Sequence, residues 1–311
     1  VTTTTNKTKP VEDDVTTAEL EAGELAAGWA ALKPQETAPA PPQPHAVIAW
    51  GARTDIGRVR ENNEDKFDFF LPDDGETLAA KGRLWAVADG MGGHNAGQVA
   101  SEATLKTVVR NYFQAAGNDV SASLKGALAE ANVLLTQAAR QFPDRGGMGT
   151  TATIAVVKGN ALTIGHVGDS RAYLLREGQE VRQITQDHSW VEEQVRRGGL
   201  SRAEAESSPY RNVITRSVGM EGEMVVDVFR ETLQTGDVIL LCSDGLSGYL
   251  DGARLAPHLE KARRANPSAA ALSLVDAAND AGGRDNITAL LLVVRGVDEG
   301  VDDAQSSSSA G

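Results

Sequence analysis

Four short segments place an aspartate at the point where an apolar run starts or stops. They are Glu64-Asp65 in Arg60-Glu-Asn-Asn-Glu-Asp65, Asp89-Gly90 in Ala88-Asp-Gly-Met-Gly-Gly93, Asp244-Gly245 and Asp285-Asn286. Short apolar runs bounded by turn residues read as strands, and strand ends can converge at one edge of a sheet. Several carboxylates in a small volume repel one another strongly unless a cation lies between them. An all-oxygen donor set suits magnesium or manganese. The pattern therefore predicts a carboxylate-bound metal centre at the end of a β-structure.

Leu84–Ala88, Thr150–Val157, Ala161–Val167, Arg171–Arg176, Val225–Phe229, Val238–Cys242 and Ile287–Val294 read as strands rich in Val, Ile, Leu and Thr. Gly159-Asn160 and Gly168-Asp169 each stand between two of them as tight turns, which predicts hairpins and antiparallel pairing. Between the first two strands, Leu105, Val108, Val109 and Tyr112 form one helical stripe, and Leu124, Ala127, Leu128, Ala131, Leu135 and Ala138 form another. A third is Ala271, Leu274, Val275 and Ala278. The expected fold class is α+β, with two antiparallel sheets packed together and covered by helices in one domain over residues 46–296.

The ends read differently. Residues 1–45 are a Thr/Ala/Pro-rich tail, in which Thr16 and Glu19 form a capping box ahead of Leu25, Trp29 and Leu32. Residues 297–311 are an acidic, Ser-rich tail; both are expected to be disordered. The formal charge of -13 disfavours a nucleic-acid surface, which needs clustered Lys and Arg. Apolar stretches such as Ala289–Val294 are too short to span a membrane. One cysteine, Cys242, excludes an internal disulfide framework, and no charged start precedes an apolar run; the expectation is a cytoplasmic protein.

Each motif also has a plainer reading. Arg60–Asp65 fits a solvated loop as well as a structured turn, although Arg60 could hold a phosphate through its planar fork. The glycines after Asp89 suggest a dinucleotide loop, but Asn95 stands where that fingerprint requires glycine. Gly168-Asp-Ser-Arg lacks the closing glycine of a nucleophile elbow, which leaves Asp169 as a turn residue. Cys242 has Gly248, not arginine, six positions on, so it reads as a packing residue. His188 reads as a structural hydrogen-bonding residue near a helix start, and His45, His166 and His258 as non-catalytic.

Taken in order, RENNED, ADGMGG, GMGTTAT (147–153), HVGDSRAYLLR, ITQDHS, RNVITRSVG (211–219), CSDGL and RDNIT resemble the metal-dependent serine/threonine protein phosphatases of type 2C, especially the compact bacterial members. The resemblance runs from about Ala52 to Val294. It implies a four-layer α-β-β-α sandwich with a dinuclear Mn2+ or Mg2+ centre in a cleft at one sheet edge. By the same resemblance Asp89 bridges two metals, Gly90 offers its carbonyl to one, and Asp244 and Asp285 complete the shell of the other. Asp169, with Asp244, corresponds to a weaker third site. Glu64 and Asp65 orient metal-bound water, Arg60 clamps the substrate phosphate, and residues 190–219 form a variable flap.

The implied reaction is in-line attack of a metal-bridging water on phosphoserine or phosphothreonine, without a phosphoenzyme. The implied partners are phosphoproteins, namely a bacterial serine/threonine kinase and its signalling substrates, met by a monomer without nucleic acid or membrane. Two positions depart from the pattern. Met91 stands where animal relatives place a histidine proposed as general acid, with His94 nearby, and Gln98 stands where bacterial relatives commonly carry Glu. The competing readings are a catalytically dead phosphoprotein-binding relative and a two-metal phosphodiesterase or nuclease.

Overall fold

Strand β3 (Arg83–Ala88) shows how the layers arise, because its successive side chains point to opposite faces. Leu84, Ala86 and Ala88 pack into one apolar cluster, while Trp85 and Val87 pack into another. A strand buried on both faces has no polar side, which is why it reads as a continuous apolar run. The computed structural model describes residues 44–92, 95–142 and 146–298. The expected capping box at Thr16 and Glu19, and His94, lie outside the described residues.

One five-stranded sheet has the order β1-β12-β11-β8-β9, formed by β1 (His45–Asp55), β12 (Ile287–Asp298), β11 (Val238–Cys242), β8 (Arg171–Leu175) and β9 (Arg182–Gln183). The other has the order β10-β7-β6-β3-β2, from β10 (Asp227–Thr232), β7 (Ala161–Val167), β6 (Ala152–Lys158), β3 and β2 (Lys66–Phe70). Every pairing is antiparallel. Their facing sides meet in a core that includes Trp85, Ile164, Leu174, Leu241 and Leu290. Burying each large residue contributes about 1.5–3 kcal/mol, so this layer fixes the strand ends firmly.

The outer faces are covered by helices. α1 (Gly75–Lys81) precedes β3, and α2 (Ala96–Gln114) and α3 (Val120–Gln141) lay Leu105, Val108, Tyr112, Leu124 and Leu128 on the second sheet. α3 starts where Asp119 accepts from the Ser121 and Ala122 amides, which satisfies two otherwise unpaired helix donors. After the short α4 (Trp190–Arg196), α5 (Arg202–Ser207) and α6 (Asp244–Ser247), α7 (Gly252–Arg264) and α8 (Pro267–Asp280) cover the first sheet with Leu255, Leu259, Leu274 and Val275. This is the expected α-β-β-α order of layers. A small pair, β4 (Gly90–Met91) and β5 (Gly149–Thr150), joins the loop after Asp89 to the start of β6. Among the described residues, no helix is long and apolar enough to cross a membrane.

One expected hairpin is absent. Gly159-Asn160 does join the antiparallel pair β6 and β7, but Gly168-Asp169 does not join a pair. β7 ends in one sheet and β8 begins in the other, so the turn is a crossover between layers. Gly168 has φ +109, and a Cβ there would lie 2.6 Å from Thr151. Turn chemistry specifies a sharp bend, not which strand the chain pairs with afterwards. The sequence reading also missed β1 and β2, and placed β10 two residues early.

Candidate metal centre

Antiparallel pairing explains how distant aspartates meet, because the end of one strand lies beside the start of its partner. Asp65 immediately precedes β2 and Asp89 immediately follows β3, where Lys66 faces Ala88. In the other sheet Asp244 lies just beyond β11 and Asp285 just before β12, where Cys242 faces Ala289. Stacking the sheets brings both pairs to the same edge, and the crossover adds Asp169.

Electrostatics show this convergence directly. Burial, then repulsion from Asp65, Asp244, Asp169 and Asp285, holds the Asp89 carboxyl well above the usual carboxylate range. Burial and the repulsion of Asp285 raise Asp244, offset in part by its hydrogen bond with Asp89. Asp65 is pushed up to about 7, chiefly by burial, against the hydrogen bonds of Ser243 and Thr288. Asp169 is pushed up to about 8 by burial and by Asp244 and Asp187, with Arg171 opposing. Burial raises Glu64 as well, and Arg60 moderates it.

The surrounding backbone is tightly fastened. The Asp89 amide donates to Thr151 Oγ1 at 2.9 Å, and its carbonyl accepts from Thr150 Oγ1 at 2.8 Å. Buried Asn286 donates through Nδ2 to the carbonyls of Ile56 and Asn62, and its Oδ1 accepts from the Glu64 amide at 2.8 Å. A side chain on Gly90 would place Cβ 2.1 Å from the Gly97 carbonyl oxygen, and one on Gly245 would meet that of Asn286 at 2.0 Å. Only glycine allows these chain segments to touch, and both contacts lie beside the aspartates.

Arg60 stands at the rim, half exposed, with Nη2 donating to Asp285 Oδ2 at 2.7 Å. Beside Asp169, Arg171 forks onto Asp187 with contacts of 3.0, 3.0 and 2.7 Å. From Asp169 and Asp244 a cleft of about 970 Å³ runs outward, lined among others by Arg171, Asp187, Arg211, Tyr249 and Arg254. Its far wall includes α4 and α5, whose Ser201 and Glu204 form a capping box.

Two observations test whether divalent cations fit here. Asp65 Oδ1 and Asp169 Oδ1 are buried without a hydrogen-bond partner, a costly arrangement that a cation or its water relieves. All the charged donors are carboxylate oxygens, the preference of hard cations. Among the described residues, no three His, Cys, Asp or Glu side chains form a closed ligand group. The fit rests instead on the two orphaned oxygens and on the carboxylate donor set. The residues fit the metals implied by the sequence.

The eight residues singled out in the sequence, Arg60, Glu64, Asp65, Asp89, Gly90, Asp169, Asp244 and Asp285, thus lie in one neighbourhood. Sequence reasoning missed the groups that hold them, notably Arg171 with Asp187, Thr150, Thr151, Ser243 and Thr288. All of these sit within the quoted motifs, where the aspartates drew attention first. Cys242 is fully buried with its thiol pushed up to about 12, in line with a packing role. His188 is also structural: its Nδ1 accepts from the Gly168 amide and its Nε2 bonds Asp227, both at 3.0 Å.

Comparison with known proteins agrees with this geometry. The family described as protein phosphatase 2C matches residues 54–196. A serine/threonine phosphatase, stp, of Listeria innocua is 37% identical over 244 residues, covering 77% of this chain and 93% of that protein. The solved serine/threonine phosphatase of S. agalactiae superposes with a TM-score of 0.73 at 33% identity, covering 80% of this chain and 100% of that one. The catalytic domain of the phosphatase PstP, solved with two manganese ions, superposes with a TM-score of 0.66 at 35% identity, covering 79% and 97%. The chain belongs to the protein phosphatase 2C family, the metal-dependent protein serine/threonine phosphatases, in its bacterial form.

Proposed function

We propose that this protein hydrolyses phosphoserine and phosphothreonine in proteins at a dinuclear manganese or magnesium centre. The observation that carries this reading is the group of mutually repelling aspartates with two orphaned oxygens, of which Asp169 and Asp244 line a cleft and Asp285 is paired with the half-exposed Arg60. Asp89, the Gly90 carbonyl, Asp244 and Asp285 would hold two ions, and Asp169 with Asp244 would hold a weaker third. Bound cations supply the Lewis acidity that activates water and offsets charge at phosphorus.

The chain's own groups do the rest. Arg60, already oriented toward Asp285, meets the phosphoryl oxygens with a planar pair of donors. Glu64 and Asp65 accept hydrogen bonds from water and orient it for attack. Met91 has no proton to give, so the leaving alkoxide draws its proton from water. The cleft is polar and at the upper end of small-ligand volumes, which suits a polypeptide carrying the phosphoresidue. The biological reading is a cytoplasmic monomer that opposes a bacterial serine/threonine kinase.

The test is phosphate release from a phosphothreonine peptide with Mn2+, Mg2+ or EDTA, comparing the parent protein with Asp244→Ala and including a phosphodiester as control. Metal-dependent release from the monoester alone, lost in the variant, is expected. Peptide binding without turnover under any metal would replace the enzyme with a phosphoprotein-binding protein. Turnover of the diester would indicate a phosphodiesterase.

A further inference from the structure

Asp65 is 1% exposed, and its two oxygens are treated very differently. Oδ2 accepts from Ser243 Oγ at 2.6 Å and from Thr288 Oγ1 at 2.7 Å, while Oδ1 has no partner. The donors are themselves held. Ser243 Oγ accepts from the Thr288 amide at 3.0 Å. Thr288 Oγ1 lies 2.8 Å from Thr54 Oγ1, its direct cross-strand partner on β1. Thr54 Oγ1 in turn accepts from Asn63 Nδ2 at 2.9 Å, and Asn63 Oδ1 accepts from the Asp65 amide at 3.1 Å.

A hydroxyl has one proton, so the direction of every link follows. Thr288 spends its proton on Asp65; the proton between the threonines therefore belongs to Thr54. Thr54 then has its lone pairs free for the Asn63 amide, whose carbonyl oxygen turns back to the Asp65 backbone. The circuit closes on the residue where it began. It leaves no freedom to rotate the carboxylate, because turning Asp65 to pair Oδ1 would break two hydroxyl bonds at Oδ2.

We propose that Thr54 and Thr288 are positioning residues for metal binding, which through this circuit hold Asp65 with Oδ1 as its one free acceptor for metal-bound water beside Asp89, Asp244 and Asp285. The inference rests on the metal centre proposed above. Neither threonine is itself a ligand; each acts through Asp65. Outer partners of this kind typically change metal affinity by about 10–100-fold when removed. Valine matches threonine in shape and strand preference but carries no hydroxyl, so it separates hydrogen bonding from packing.

The experiment measures Mn2+ binding to the intact chain by the electron paramagnetic resonance signal of free Mn2+, for the parent, Thr54→Val, Thr288→Val, Thr54→Ser and Thr288→Ser. Thermal unfolding of each in EDTA is recorded alongside. The valine variants are expected to bind Mn2+ about ten-fold more weakly, and the serine variants like the parent. Unchanged binding in both valine variants would overturn the inference while leaving the metal centre intact, as would serine variants that lose as much as valine. A parent that binds no Mn2+ would remove the centre itself, and with it this reading. Thr54 is only part-buried, so its variants keep the test decisive if Thr288→Val fails to fold.

Discussion

Two buried polar clusters lie within the same molecule and are built on opposite principles. His166 and His188 stack with ring centroids 4.9 Å apart, and each ring nitrogen has a partner. The Gly168 amide donates to His188 Nδ1, which leaves Nε2–H for Asp227. The Gln186 carbonyl accepts from His166 Nε2, and Nδ1 lies 3.0 Å from Thr153 Oγ1. Burial favours the neutral form of both rings, lowering His188 and pushing His166 down to about 4. The carboxylate cluster is the reverse: like charges face one another and two oxygens have no partner. A protein can bury polar groups cheaply when they satisfy one another, and the first cluster does so. The second retains an unmet requirement, which is the reason the metal centre is proposed there.

The largest effect that would break this contrast is Asp89→Asn. Metal-dependent phosphate release should fall by at least about 10²-fold, since the cations offset several kcal/mol of charge at phosphorus. The same variant in EDTA should unfold at a higher temperature than the parent, because one repelling charge is gone. A lower unfolding temperature would show that the aspartates are not in conflict. Next in size, His188→Ala should destabilise the protein by about 2–4 kcal/mol, since it leaves the Gly168 amide unpaired, leaves Asp227 with Arg216 but without the imidazole, and opens a cavity. Mn2+ affinity of the folded variant should hold, and a loss as large as that of Asp89→Asn would merge the two clusters into one.

A smaller and more diagnostic effect is the pH dependence of unfolding with and without Mn2+. Raised carboxyls bind their protons more tightly in the folded state than in the unfolded one. Their contribution is therefore complete below about pH 4 and is lost as pH rises through about 7 for Asp65 and about 8 for Asp169. The lowered histidines act oppositely, contributing above about pH 6.5 and losing that contribution at lower pH, His166 as pH falls through about 4. In EDTA the two trends oppose each other across this range. Mn2+ binding favours deprotonated carboxylates, so its stabilisation should grow with pH and move the optimum upward. Parallel curves with and without Mn2+ would contradict the reading of the cluster.

Much of the fold was legible because the central strands are buried on both faces. β3, β7, β11 and most of β12 are apolar runs with no competing pattern. β1 was not legible: it is exposed or part-buried at most positions and includes Arg53, Thr54 and Asp55. α7 carries no sequence expectation above; it contains Gly252 and Pro257, both poor helix formers, while Leu255, Leu259 and Ala262 hold its buried stripe. At the site, aspartates at strand ends could be named from the sequence, but not the hydroxyls and amides that aim them. Ser, Thr and Asn occur at so many turns that their presence carries little information until their partners are known.

What the sequence by itself determined is the set of chemically committed groups: Asp65, Asp89, Asp244 and Asp285 at the edges of apolar runs, with glycines where the backbone must pass closely. Periodicity and side-chain chemistry are local properties, and they survive in one dimension. Only the tertiary structure decided that Asp169 lies on a crossover and not in a hairpin, that Thr54 faces Thr288 across 234 positions of chain, and that Asp65 keeps one oxygen free. Those outcomes depend on which strands pair and how two sheets stack. Pairing is a competition among long-range alternatives, settled by the burial of the whole core and not by any residue at the site.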